Sequence, residues 1–184
     1  VLQGPGKDIY GLKGTAAGDR KARQPGREKM RVADTVQGIS NREGKYLTFG
    51  IAEERYGIGI LDVREIIGMM PLRPVPQVPD FIKGVINLRG KVIPVVDVRL
   101  KFNMESIPYT DRTCIIVVEV SGLTGSSQIG IVVDRVLDVT EFKDAEIEDC
   151  PTFGGEVDTH FILGIAKRGQ EVTILLDIDQ ILQA

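Results

Sequence analysis

From Lys45 onward, short runs of β-branched and aromatic residues alternate with glycines and polar residues: YLTFGIAEERYGIGIL, VINLRGKVIPVVDV, CIIVVEV, QIGIVVD, ILGIAKRG and EVTILLDI. Runs this short, bounded by turn-forming residues, predict strands joined as hairpins. Turns are expected at EER, RGK, SGLTGSS and KRGQ, each joining two runs close enough to be antiparallel neighbours. The segment Pro71–Pro79, PLRPVPQVP, cannot be a central strand, because its prolines fix φ and remove N–H donors. It is a connector or a sheet edge, with an extended ligand for an SH3-like partner as the alternative.

Two internal echoes suggest a tandem repeat. Arg89-Gly90 followed by KVIPVVDVRL resembles Arg168-Gly169 followed by QEVTILLDIDQIL, and GIGILDV resembles IGIVVD. Two similar small barrels in sequence would account for both. The aspartates closing the repeated strand, Asp97 and Asp177, are placed to cap the helical turn that follows, their carboxylates accepting from free backbone N–H groups.

Residues 1–44 read differently. Glycine is frequent, Lys and Arg outnumber Asp and Glu, and no apolar period is sustained. Such a segment cannot bury enough apolar surface to offset its chain entropy, which predicts a disordered basic tail, with a basic arm for an acidic partner or membrane surface as the alternative. Met30 is a candidate natural start, the residues before it then being an added leader.

Composition narrows the function. The chain has 184 residues, 42% hydrophobic and 27% charged, and a net charge of -3, so it is globular and offers no basic field for nucleic acid. No stretch approaches the length of a membrane span, and the N-terminus lacks the order of a signal peptide. The two cysteines, Cys114 and Cys150, have no second thiol or histidine at ligand spacing; Cys114, in CIIVVEV, reads as a core residue. A reducing cytoplasm fits.

Candidate chemistry is sparse. One histidine, His160, excludes paired-histidine metal motifs, and no phosphate-binding glycine loop follows a strand. The acidic group Asp144, Glu146, Glu148 and Asp149 lacks calcium-loop spacing and is expected to be a solvated surface. No metal or cofactor is expected. The unusual stretch is Gly84-Val85-Ile86-Asn87-Leu88-Arg89-Gly90, where an amide and a cation sit beside a turn. Arg89 is either an ordinary solvated turn residue or the tip of a recognition surface.

The run FIKGVINLRGKVIPVVDVRLKF, from Phe81 to Phe102, resembles the signature segment of the CheW-like family, and YGIGILDVREIIG, GIVVDRVLDV and ILLDIDQIL match its other strands. The resemblance covers about residues 45–183. It implies a mainly β fold of two tandem five-stranded SH3-like β-barrels, with short helices and a shared apolar core. It also implies a non-enzymatic cytoplasmic adaptor, recruited to receptor arrays at the inner membrane. Its partners would be the regulatory domain of the histidine kinase CheA and the cytoplasmic tip of methyl-accepting chemotaxis receptors. Asn87 and Arg89 fall on the family's receptor-contacting hairpin, with Gly84 supporting it and Val63 in the neighbouring turn; Ile60 and Glu65 match positions facing the kinase. A CheW-like module cut from a larger CheA or CheV protein is the alternative. The absence of kinase or receiver motifs around the module favours the free-standing form.

Overall fold

The computed structural model describes residues 42–122, 125–151 and 159–183. The tail expected over residues 1–44 therefore lies, up to residue 41, outside the described residues. Among the described residues eleven strands run in chain order: β1 (Gly44–Ile51), β2 (Glu54–Gly59), β3 (Val63–Gly68), β4 (Ile82–Leu88), β5 (Lys91–Asp97), β6 (Cys114–Gly122), β7 (Gly125–Val133), β8 (Arg135–Phe142), β9 (Ile147–Glu148), β10 (Ile162–Arg168) and β11 (Glu171–Leu176). Two short helices, α1 (Val98–Lys101) and α2 (Ile178–Gln183), follow β5 and β11. The hairpins form as the runs predict. The first turn is Ala52-Glu53, one residue ahead of the EER expected, with Ala52 at φ 53°.

Two sheets result, one ordered β3-β6-β7-β5-β4 and the other β8-β1-β2-β11-β10-β9. Apart from the two-residue β9, the orders match strand for strand, so the mainly β architecture is borne out, built as two sheets of like order. The chain writes its repeat twice, as β1 to β5 with α1 and then β6 to β11 with α2. Each leading hairpin, however, joins the sheet of the other repeat: β2 runs parallel to β11, and β7 parallel to β5. Parallel neighbours need a long connection, so these partners come from distant parts of the chain.

The registers also fix which positions are equivalent. Leu88 faces Lys91 across the first turn and Arg168 faces Glu171 across the second, so Arg89 corresponds to Gly169. The two Arg-Gly pairs seen in the sequence are therefore one residue out of register. The strands after them align Asp97 with Asp177. Both aspartates cap as expected: Asp97 accepts from the Arg99 N–H at 3.0 Å and Asp177 from the Gln180 N–H at 3.1 Å.

Packing explains the strand composition. Successive residues of β6 point to opposite faces. Ile115 and Val117 fill the interior of their own sheet with Ile86, Ile93 and Val95. Ile116, Val118 and Val120 face the other way, into a core shared with Leu47, Phe49, Ile51 and Ile58 of the second sheet. Burial on both faces is why CIIVVEV shows little alternation. Each fully buried aliphatic side chain contributes roughly 1.5–3 kcal/mol. Cys114 is partly buried against the shared core, in line with its reading. Helices α1 and α2 seal that core with Val98, Ile178 and Ile181.

The proline-rich segment lies along a sheet edge. The Arg73 N–H donates to the Val85 carbonyl and the Arg73 carbonyl accepts in return from the Val85 N–H, both at 2.9 Å, which covers part of β4. Gly84 makes this approach possible: its φ is 136°, and a Cβ there would lie 2.2 Å from the Arg73 carbonyl oxygen.

Candidate functional site: the β4–β5 hairpin tip

The hairpin turns on Arg89 and Gly90, with φ values of 51° and 86°. Two left-handed residues in succession match the twist of the flanking strands, which is why such turns favour Asn-Gly and Gly-Gly. Arginine in this conformation costs on the order of 1 kcal/mol. The Asn87 side chain helps hold the turn, its Oδ1 accepting from the Gly90 N–H at 2.8 Å. Asn87 is exposed, and its Oδ1 is committed to its own turn.

The Arg89 side chain is 77% exposed and Glu65 beneath it 26% exposed. They meet as a fork, with Nη1 donating to Oε2 at 3.0 Å and Nη2 to Oε1. Glu65 comes from β3, an edge strand of the same sheet, and β6, β7 and β5 lie between it and β4. No local sequence spacing links residues this far apart in the chain. The resemblance assigned Arg89 and Glu65 to different partners, and the structure brings them into one ion pair.

Around the pair lies a cleft of about 270 Å³ lined by Arg64, Glu65, Leu88, Arg89, Lys91, Val117 and Gln128. Arg64 is itself paired with Glu119, whose carboxyl is held below its usual range by hydrogen bonds from Arg64 and Ser126. Both arginines of this cleft are therefore paired with carboxylates, and its third cation, Lys91, acts on the same Glu119 through its charge.

The remaining candidates sit apart from the tip. Ile60 is in the 3-10 turn Ile60–Asp62 that carries the chain from one sheet to the other, half-buried against the shared core. Val63 opens β3 opposite Val118. Beside them Leu61 is 84% exposed, a feature the strand pattern gave no reason to single out. Among the described residues no cluster of three His, Cys, Asp or Glu could hold a metal ion, and no helix is long and apolar enough to cross a membrane.

Comparison with known proteins places these features in context. The model of the CheW-like domain matches residues 45–184. The chemotaxis protein CheW of Klebsiella aerogenes is 37% identical over 140 residues, covering 76% of this chain and 82% of that protein. CheW of Rhizobium meliloti is 29% identical over 150 residues, covering 82% and 94%. Among solved structures, the scaffolding protein CheW of Thermoanaerobacter tengcongensis superposes with a TM-score of 0.68 at 34% identity, covering 77% of this chain and 94% of that one.

Proposed function

The chain belongs to the CheW-like family and is a chemotaxis adaptor; we propose that it couples methyl-accepting receptors to the kinase CheA, without catalysing a reaction itself. The observation that supports this reading is the hairpin tip. A strained turn presents an arginine fork to solvent and holds it from both sides, which a residue kept only for solubility does not need. The receptor surface comprises Arg89, Asn87 and Gly84, with Val63, apart from the tip at the start of β3, as its outlying member. Asn87 and Gly84 act through the turn and the strand edge that carry Arg89. Glu65, expected on the kinase face, has its carboxylate committed to Arg89, and we place it with the receptor contacts.

For the regulatory domain of CheA we assign the sheet-to-sheet turn. There Ile60 anchors in the core, and Leu61 offers an exposed apolar side chain rimmed by Asp62, an arrangement suited to the centre of a protein interface. Binding to receptors would place the protein at the cytoplasmic face of the inner membrane. A pull-down with the purified CheA regulatory domain and a receptor cytoplasmic hairpin tests the reading. Both should be retained, together and separately. Retention of neither would remove the coupling role.

A further inference from the structure

The chemistry of the hairpin tip defines what it can recognise, given the receptor reading above. A guanidinium carries five N–H donors. Glu65 takes one from each terminal nitrogen. The Nε–H and one N–H on each terminal nitrogen remain directed at solvent, and the side chain is 77% exposed. The Arg89 charge is already matched by its own carboxylate, Arg64 beside it is matched by Glu119, and the remaining cation of the cleft, Lys91, is not bonded to the pair and acts through its charge on Glu119. A partner carboxylate arriving here would find no net arginine charge to neutralise. It would have either to displace Glu65 or to stand about as near to one carboxylate as to the guanidinium.

We propose that the Arg89–Glu65 pair works as one electrically neutral donor unit whose partner groups are uncharged oxygen acceptors. The chemistry that fits is the main-chain carbonyls left open at a helix end or in the turn of a helical hairpin. The last carbonyls of a helix lack intrahelical donors, carry partial negative charge, and accept N–H bonds without bringing a full charge. The cleft beside the pair, about 270 Å³ and lined by Gln128, Leu88 and Val117 as well as the charged residues, admits such a turn without requiring a charge from it. Glu65 is accordingly a positioning residue that acts through Arg89: it fixes the rotamer and cancels the charge.

The test is titration calorimetry of the full chain against a receptor cytoplasmic fragment, using wild type, Glu65→Gln, Arg89→Ala and the double variant. Each is measured between about 0.05 and about 0.5 M salt, a range over which the screening length falls from above about 10 Å to below about 5 Å. The wild-type affinity should change by less than about threefold across that range. Arg89→Ala should lose about tenfold or more, and Glu65→Gln should lose severalfold, with no further loss when it is added to Arg89→Ala. Glu65→Gln that binds more tightly than wild type would show that Glu65 competes with a partner carboxylate, overturning the inference. A wild-type loss of tenfold or more across the salt range would do the same. In either case the Arg89→Ala loss would leave the receptor surface itself standing. Wild-type affinity in Arg89→Ala would overturn both.

Discussion

At the tip of β4–β5 the chain carries Arg89 at φ 51°; at the equivalent position of β10–β11 it carries Gly169 at φ 64°. The two hairpins occupy equivalent places in their sheets with matching registers at the turn, β10 carrying the two-residue β9 in addition, so the scaffold does not force the difference at the tip. Glycine reaches the left-handed region without cost, and the second hairpin takes that solution. Its cations are turned inward on their own unit. Arg168 is bound to Glu146 and lies 5.1 Å from the Phe142 ring, while Lys167 is bound to Glu148. Two members of the acidic group, Glu146 and Glu148, are thus the counter-charges of this hairpin, while Asp149 pairs with Arg42 and Asp144, Glu148 and Asp149 are exposed, as a solvated surface would be. The first hairpin keeps the strained residue and turns it outward, and strain retained where glycine would relieve it points to function.

The two sheet-to-sheet crossings differ in the same spirit. The position after β7 is Asp134, whose side chain is 19% exposed and bridges Arg99, the Ala52 N–H and, through backbone, Gly50. The matching residue after β2 is Leu61, which touches solvent. One crossing is stapled and the other is open.

The largest expected effect separates the two strand glycines. Gly84→Ala combines a Cβ 2.2 Å from a carbonyl oxygen with φ 136° and should lower stability by on the order of 3 kcal/mol. Gly164→Ala meets the Ile147 side chain at 2.7 Å and the Glu148 carbonyl at 2.8 Å, without the backbone penalty, and should cost less. Urea unfolding of both variants decides. Equal losses would mean the edge contact of Arg73 yields as easily as that of β9.

Next, Asp134→Asn should cost about 2 kcal/mol, because it leaves the half-buried Arg99 without its counter-charge. Leu61→Asn, at the matching position, should stay within about 0.5 kcal/mol. If the two substitutions have similar thermal shifts, the crossings are not energetically distinct.

At the tips, Arg89→Ala should change stability by no more than about 0.5 kcal/mol, while receptor affinity falls about tenfold or more. Arg168→Ala should do the reverse, lowering the melting temperature and sparing binding. Arg89→Lys should recover only part of the affinity, since an ammonium keeps the charge and loses the planar fork.

How much of this was legible follows from range. Strands, hairpins, the aspartate caps and the repeat are local patterns, and CIIVVEV or RGKVIPVVD carries them within a few residues. The exchange of leading hairpins was not, because whether β1–β2 joins its own sheet or the other depends on long-range packing of Phe49 and Ile58 against Ile116 and Val118. The register of the second turn was misread by one residue because the Arg-Gly dipeptide recurs, yet the left-handed position it marks does not. For the site, an exposed arginine at the RGK turn was readable. Its pairing with Glu65 across the sheet had no local trace, nor did the exposure of Leu61.

The smallest effect concerns acid, and it sharpens the contrast between the crossings because the signs oppose. At the open crossing, burial and then the neighbouring Asp179 and Asp177 raise the Asp62 carboxyl above its ordinary value, with Arg64 offsetting part of this. The folded state therefore takes up this proton at higher pH than the unfolded chain. Ionised Asp62 opposes folding at neutral pH, and the penalty is relieved as pH falls through the raised folded value toward the unfolded one. At the stapled crossing, burial alone would raise Asp134, but hydrogen bonds from Arg99 and the Ala52 N–H, with the charges of Arg99 and Arg135, hold it below its ordinary value. Its stabilisation is present above the unfolded value and is lost only as pH falls through the lower folded one. Asp62→Asn should accordingly stabilise the protein at neutral pH by less than about 1 kcal/mol, given solvent screening of a half-exposed group, and the gain should vanish on acidification. The cost of Asp134→Asn should persist to lower pH. Denaturant unfolding of both variants and wild type at neutral and acidic pH reads the two slopes; an Asp62→Asn gain that does not shrink with acid would show that Asp62 is not held in a carboxylate-crowded crossing.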